Sequence, residues 1–262
     1  MKKLLAITAL SAALFFGQTA AAEEKAAEEV KPSHVEMVLV LDESGSMSNL
    51  TNDTIGGFNS MIEKEKKLDV DAHVTTVLFN DQYKMLYNRR ELKDVRKMTD
   101  KDYTPGGMTA LLDAVGRTIH KMDMVSGIHR KDKGNKVLFV IITDGEENDS
   151  REYTYADVKK LIKDRQENAG WEFIFLGANI DAAAAAENLG IDRDRAVKYK
   201  NTGSGVRANF KAVAELSDSL AKSGRVSDEW NVMAAPADTK EHAAPPAKPV
   251  KKHLVSKVRK AK

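Results

Sequence analysis

The chain has 262 residues, 41 Lys+Arg, 39 Asp+Glu and no Cys. Without Cys there is no disulfide framework, no Cys-ligated zinc or iron–sulfur centre and no thiol catalysis. An apolar fraction of 42% with 31% charged residues is that of a globular chain and excludes wholesale disorder, while the formal net charge of +2 conceals a segregation along the sequence.

Met1 to Ala22 opens with Lys2 and Lys3, continues with the apolar run Leu4 to Phe16, and closes on Ala20-Ala21-Ala22. The run is shorter than the about 20 residues a membrane-spanning helix needs. The three zones read as a secretory signal peptide cut before Glu23. The expectation is an exported protein, periplasmic or extracellular, that is not transmembrane after processing. Residues 23–33, rich in Ala, Glu and Lys, read as a linker, and 34–230 as one folded domain. Residues 231–262 carry Pro236, Pro245, Pro246 and Pro249 and few large apolar side chains, so a disordered basic tail is expected. Lys240 to Lys262 hold eight Lys/Arg and one Glu, a net of +7; with Lys2 and Lys3 also set aside, residues 23–239 are left at −7.

Within the domain, His34 to Leu41 is an apolar strand ending at Asp42, followed by helical spacing at Ile55, Phe58 and Ile62. Val74 to Phe79 reads as a strand, and Lys84 to Tyr87, after the Asn80-Asp81 turn, as its hairpin partner. Leu111, Val115, Ile119 and Met122 form the stripe of a second helix. Val137 to Ile142 is uniformly apolar, as a strand buried on both faces must be. A helix over Tyr155 to Asn168, a strand over Trp171 to Leu176, a helix over Asp181 to Leu189 closed by Gly190, an edge strand at Ala196 to Tyr199 and a last helix marked by Val206, Phe210, Val213 and Leu220 complete the pattern. The alternation predicts an α/β fold: a doubly wound, mostly parallel central sheet with one antiparallel edge strand and helices on both faces.

In such sheets, ligands sit beyond the carboxyl ends of the strands where the strand order switches. Three segments are expected there: Asp42-Glu43-Ser44-Gly45-Ser46, Thr104-Pro105-Gly106-Gly107-Met108-Thr109, and Thr143-Asp144-Gly145-Glu146-Glu147. They supply hydroxyls and carboxylates but neither imidazole nor thiolate, a donor set for a hard cation such as Mg²⁺ or Mn²⁺. Gly106 and Gly107 suit a tight turn beside that cation. Glu43, Glu146, Glu147 and Asp149 read first as a solvated acidic edge, with a second cation or a preference for basic partners as the alternative. Asp181 reads as a helix N-cap, and Asn179 as a residue at the same end of the sheet.

Asp42-x-Ser44-x-Ser46, then Thr109, then Asp144, each at a strand end or helix start, resemble the metal-ion-dependent adhesion site of von Willebrand factor type A (vWA) domains. The resemblance covers about residues 35–223 and implies a Rossmann-like vWA fold. It further implies that Ser44 and Ser46 bind the metal directly, that Thr109 binds directly or through water, and that Asp42 and Asp144 act mainly through waters and hydrogen bonds. The implied cofactor is Mg²⁺, with Mn²⁺ or Ca²⁺ as alternatives. The implied partner is a protein offering an acidic residue to complete the metal shell.

Enzyme signatures are lacking. There is no G-x-S-x-G elbow, no H-E-x-x-H, no phosphate-binding loop and no dinucleotide fingerprint. The histidines His34, His73, His120, His129, His242 and His253 show no zinc-site spacing. The expectation is a cation-dependent binding module and not an enzyme. Two alternatives stand beside it: an envelope-attachment protein acting through the basic tail on an anionic surface, and a metal-assisted hydrolase. The tail has no interleaved aromatics and the chain reads as exported, so nucleic acid is not an expected partner.

Overall fold

The computed structural model describes residues 34–68, 70–125, 135–227 and 230–231. The signal-peptide segment 1–22, the linker 23–33 and all but the first residue of the tail 231–262 lie outside the described residues. Among the described residues, six strands and five α-helices follow in chain order: β1 His34–Asp42, α1 Thr51–Lys67, β2 Ala72–Phe79, β3 Tyr83–Glu91, α2 Leu111–Asp123, β4 Asn135–Thr143, α3 Tyr155–Asp164, β5 Glu172–Gly177, α4 Ala182–Leu189, β6 Ala196–Lys198 and α5 Gly203–Ser223.

The strands form one sheet in the order β3-β2-β1-β4-β5-β6. All neighbours pair in parallel except β2 and β3. This is the predicted doubly wound sheet with one antiparallel edge strand and helices on both faces. The strand order reverses between β1 and β4, where Leu41 lies opposite Ile142. The carboxyl ends of these two strands therefore flank the switch point.

Period-2 alternation along the strands assigns the two faces. Met37, Leu39 and Leu41 of β1 pack with Phe58, Met61 and Ile62 of α1 and with Phe210, Val213 and Leu220 of α5. Val38 and Val40 turn the other way, onto Leu112, Val115, Ile119 and Met122 of α2, Val158 and Ile162 of α3, and Leu189 of α4. β4 divides in the same way, with Leu138, Val140 and Ile142 on the first face and Phe139 and Ile141 on the second. Full burial of such side chains contributes roughly 1.5–3 kcal/mol each. That is why the unbroken apolar runs of β4 and β5 occupy central places, and why β3, with Arg89 and Arg90, takes the edge.

Local chemistry sets several boundaries. Thr154 and Asp157 form a capping box at the start of α3. The predicted helix to Asn168 is regular only to Asp164; it widens into a π turn over Arg165–Ala169 and stops at Gly170, whose φ of 69° is left-handed. Asp181 caps α4 by accepting from the backbone N–H of Ala184 at 3.1 Å, and Gly190 ends that helix with φ 87°. After α5, Trp230 is buried and its indole N–H donates to the carbonyl of Asp194 at 3.0 Å.

Candidate metal centre

All five residues singled out in the sequence converge beyond the carboxyl ends of β1 and β4. Asp42 is the last residue of β1 and Asp144 directly follows β4. Ser44 and Ser46 lie on the turn between β1 and α1, and Thr109 stands two residues before α2. Asp42, Ser44, Thr109 and Asp144 are buried, whereas Ser46 is exposed, so the cluster opens to solvent on the Ser46 side.

The hydrogen bonds connect the three segments. Asp42 Oδ1 accepts from the backbone N–H of Ser44 at 2.7 Å, and Asp42 Oδ2 accepts from Thr143 Oγ1 at 2.6 Å. Ser44 Oγ and Ser46 Oγ are 3.0 Å apart, and Ser46 Oγ donates to Asp144 Oδ1 at 2.5 Å. The second Asp144 oxygen accepts from Asn201 Nδ2 at 3.1 Å. A Cβ built on Gly145 would stand 3.6 Å from Thr109 Oγ1 and 3.9 Å from Ser46 Oγ, so these two hydroxyls share one small space. Burial pushes the Asp42 carboxyl above its ordinary range; hydrogen bonds from Ser44 and Thr143 oppose this, and the neighbouring Asp144 carboxylate adds to it. Two carboxylates held so close in a buried cluster are the electrostatic setting in which a cation is stabilising.

The donor set and spacing fit a hard divalent cation. Mg²⁺ takes oxygens at about 2.0–2.1 Å in an octahedron, so adjacent ligands stand about 2.9 Å apart. The 3.0 Å separation of Ser44 Oγ and Ser46 Oγ has that length.

The loop carrying Thr109 is tied to the others by backbone. Gly45 N–H donates to the Gly107 carbonyl at 3.2 Å, and Gly106 N–H donates to the Glu43 carbonyl at 2.9 Å. Gly107 has φ 73°, a left-handed conformation that favours glycine, and a Cβ there would come 2.0 Å from Asp81 Oδ1, so the Asp81 side chain would have to move. Thr109 is held on both sides: its N–H donates to Asn148 Oδ1 at 2.8 Å, and its carbonyl accepts from Asn148 N–H at 3.0 Å.

The acidic residues around this end are less uniform than a solvated edge. Glu43 is buried and accepts from the Thr104 backbone N–H. Glu147 accepts from Leu112 N–H at 2.9 Å and from Ser150 N–H at 2.7 Å, tying the first turn of α2 to the loop after β4. Asp149 meets Arg151 at 3.1 Å, and Glu146 is exposed. Asn179 adopts a left-handed φ of 55° and its side-chain amide donates to the Asp144 carbonyl at 3.4 Å. Asn148 and Asn201 carry no motif that points to this role; only the fold brings them to Thr109 and Asp144. His34 and His73, unrelated by spacing, meet with Glu36 at the opposite end of the sheet.

A doubly wound sheet with hydroxyls and carboxylates gathered at its switch point is the arrangement that the vWA resemblance implies. Residues 34–180 match the family described as the vWA found in the TerF C terminus, and the chain belongs to that vWA family. No curated protein matches the sequence. Among solved structures, the open conformation of the pilus adhesin SpaC from Lactobacillus rhamnosus GG is similar at TM-score 0.54 and 13% identity, covering 74% of this chain and 31% of that one. The vWF domain of the type V pili tip protein Mfa5 from Porphyromonas gingivalis is similar at TM-score 0.52 and 12% identity, covering 75% and 99%. Proximal thread matrix protein 1 from the mussel byssus is similar at TM-score 0.52 and 13% identity, covering 70% and 45%. The chain thus spans less than half of two of these three proteins. Identities this low show the fold alone. Among the described residues, no helix is long and apolar enough to cross a membrane.

Proposed function

We propose that the chain is a divalent-cation-dependent protein-binding module of the adhesion or assembly type, exported to the periplasm or the extracellular space, and not an enzyme. The observation that carries this reading is the hydroxyl pair Ser44–Ser46 at octahedral-edge spacing, backed by Asp42, Thr109 and Asp144 at the switch point. Ser44 and Ser46 would hold the cation directly, Thr109 directly or through water, and Asp42 and Asp144 mainly through waters and hydrogen bonds. Mg²⁺ is the proposed ion, with Mn²⁺ or Ca²⁺ as alternatives. When bound, the ion supplies an electrophilic position that a carboxylate of a partner protein completes. Uncharged hydroxyl ligands leave that position short of negative charge, which favours an acidic partner residue.

The chain's own groups orient this site. Thr143 and the Ser44 N–H fix the Asp42 carboxylate, and Asn201 and Asn179 fix Asp144 and its carbonyl. Met108, 51% exposed beside Thr109, offers an apolar contact on the rim. Export rests on the Lys2-Lys3, apolar and Ala20-Ala21-Ala22 zones. The similarity to proteins described as a pilus adhesin and a pili tip protein supports a protein partner.

The test is thermal unfolding in Mg²⁺ or Mn²⁺ against chelator, for wild type and Asp42→Ala. A ligand at a hundredfold its Kd stabilises by about 2.7 kcal/mol. Wild type is expected to gain on that scale and Asp42→Ala to gain nothing. Failure of both ions to stabilise wild type overturns the metal reading. A pull-down from envelope extract then separates binding modes. Chelator-sensitive capture supports the cation site. Capture that survives chelation, falls with salt and disappears on deletion of residues 240–262 supports the basic tail instead.

A further inference from the structure

We propose that His34 Nε2, His73 Nδ1 and Glu36 Oε1 form a second metal site, for a transition cation such as Zn²⁺, at the end of the sheet opposite the Ser44–Asp144 cluster. His34 and Glu36 lie two residues apart on β1 and share a face, and parallel register pairs Glu36 with His73 of β2. Six residues of strand separate Glu36 from Asp42, or about 20 Å, so the two sites are independent.

The three ligand atoms form a triangle: His34 Nε2 to His73 Nδ1 is 2.8 Å, His34 Nε2 to Glu36 Oε1 is 3.3 Å, and His73 Nδ1 to Glu36 Oε1 is 3.3 Å. Zinc binds nitrogen and oxygen at about 2.0–2.2 Å with tetrahedral angles, so one face of its ligand shell has edges of about 3.3–3.5 Å. Two edges of the triangle have that length, and the third lengthens to it by a small parting of the rings. Two imidazoles and a carboxylate are a zinc ligand set that leaves a fourth position for water or another donor.

The neighbouring groups are those of a metal site. Asp71 Oδ1 lies 3.0 Å from His34 Nδ1. A ring proton on Nδ1, facing that carboxylate, would leave the Nε2 lone pair for a metal, the carboxylate–histidine–metal arrangement. Glu36 is 2% exposed, and both of its carboxylate oxygens accept from Arg89 Nε at 3.1 Å, so a metal on Oε1 would replace part of the Arg89 contact. Two imidazole nitrogens 2.8 Å apart require a shared proton or a shared cation between them.

Arg89 is the resident counter-charge. Its Nη2 donates to Glu36 Oε1 and lies 3.3 Å from His73 Nδ1. It reaches there because β3 is irregular against β2 between Val74 and Val77, with Arg89 at a left-handed φ of 46° and its N–H donating to Thr75 Oγ1 at 3.1 Å. The side chain is 33% exposed on an edge strand, so Nη2 can turn to water and cede Oε1 to a metal.

The experiment uses the full chain stripped of metal and titrated with Co²⁺, followed by visible absorption, then with Zn²⁺ in competition. Wild type and Asp42→Ala are both expected to develop the absorption of tetrahedral Co²⁺ at one equivalent and to lose it to Zn²⁺. His73→Ala and His34→Gln should each weaken binding at least hundredfold, and Arg89→Ala should tighten it about tenfold. Glu36→Gln, which keeps the shape of the side chain, serves where a histidine variant fails to fold and should weaken binding likewise. Absence of the tetrahedral spectrum in wild type, or unchanged affinity in the folded ligand variants, overturns the proposal. Loss of binding in Asp42→Ala alone would assign the ion to the other site and also overturn it.

Discussion

Thr143 Oγ1 donates to Asp42 Oδ2 at 2.6 Å, joining the ends of two parallel strands 101 residues apart in sequence. Asp42 Oδ1 is held from the other side by the Ser44 N–H, so the carboxylate cannot rotate without losing a hydrogen bond. Thr143 is fully buried and touches the proposed cation only through Asp42. Thr143→Val keeps the volume and deletes the donor. Partners behind metal ligands typically contribute 10–100-fold to affinity. We expect Mg²⁺ affinity to fall roughly tenfold by calorimetry with the fold retained by circular dichroism; unchanged affinity would show that Asp42 needs no such support.

Gly107 tests the loop in the same manner. A side chain there meets Asp81 Oδ1 at 2.0 Å and must adopt φ 73°. Gly107→Ala should cost more than about 1 kcal/mol from backbone strain alone. Because Gly107 accepts from Gly45 N–H, the displacement reaches the Ser44–Ser46 turn. Weakened Mg²⁺ binding in a folded variant is the expected calorimetric result, and wild-type affinity would count against the loop's role.

Gly56 and Gly57 are adjacent on α1 and should respond with opposite signs. Alanine in a helix interior is favoured over glycine by up to about 1 kcal/mol. At Gly56 a Cβ meets nothing within 4 Å, so Gly56→Ala should stabilise by about 0.5–1 kcal/mol. At Gly57 the same Cβ would stand 2.5 Å from Phe210 Cδ2, in the closely packed α1–α5 interface. Overpacking costs about 1–3 kcal/mol and outweighs propensity, so Gly57→Ala should destabilise. Urea denaturation of the two variants decides; equal shifts would mean the interface yields.

Glu65 supplies a pH dependence of unusual sign. It is fully buried between α1 and α5, where Oε2 accepts from Ser217 Oγ at 2.8 Å and Oε1 has no hydrogen-bond partner among the described residues. Burial raises its pKa from 4.5 to about 7 despite the Ser217 bond, with the nearby Asp218 adding to the effect. Between these values the unfolded chain has released the proton while the folded chain keeps it. Stability therefore falls as pH rises through that window, by on the order of 3 kcal/mol in total. Glu65→Gln should remove this contribution and leave the protein more stable than wild type at pH 8. Denaturation at pH 5 and pH 8 measures it, and an identical pH slope in both proteins would refute it.

Much of this protein was determined by sequence alone. Uniform apolar runs such as Val137 to Ile142 require burial on both faces, and 3.6-residue stripes such as Leu111-Val115-Ile119-Met122 require one packed helix face, so element type, order and fold class were legible. That the residues of the proposed metal centre would come together was legible for a related reason. Ser44 and Ser46 follow Asp42 on a single turn, and Thr109 and Asp144 stand at element ends that the alternating topology sends to one edge.

Tertiary structure alone decided whatever depends on register or on contacts between distant segments. Glu147 holds the first turn of α2, and Glu43 is buried against Thr104; side-chain chemistry could not distinguish either from a solvated acidic residue. Asn148 and Asn201 reach Thr109 and Asp144 through loops whose paths no local pattern specifies. His34, Glu36 and His73 meet because the crossover through α1 returns β2 to β1 in the register that sets Glu36 beside His73. A parallel register is set by the packing of the whole crossover on the sheet and leaves no local spacing to read. Two histidines without a shared motif consequently become neighbours only when the core closes.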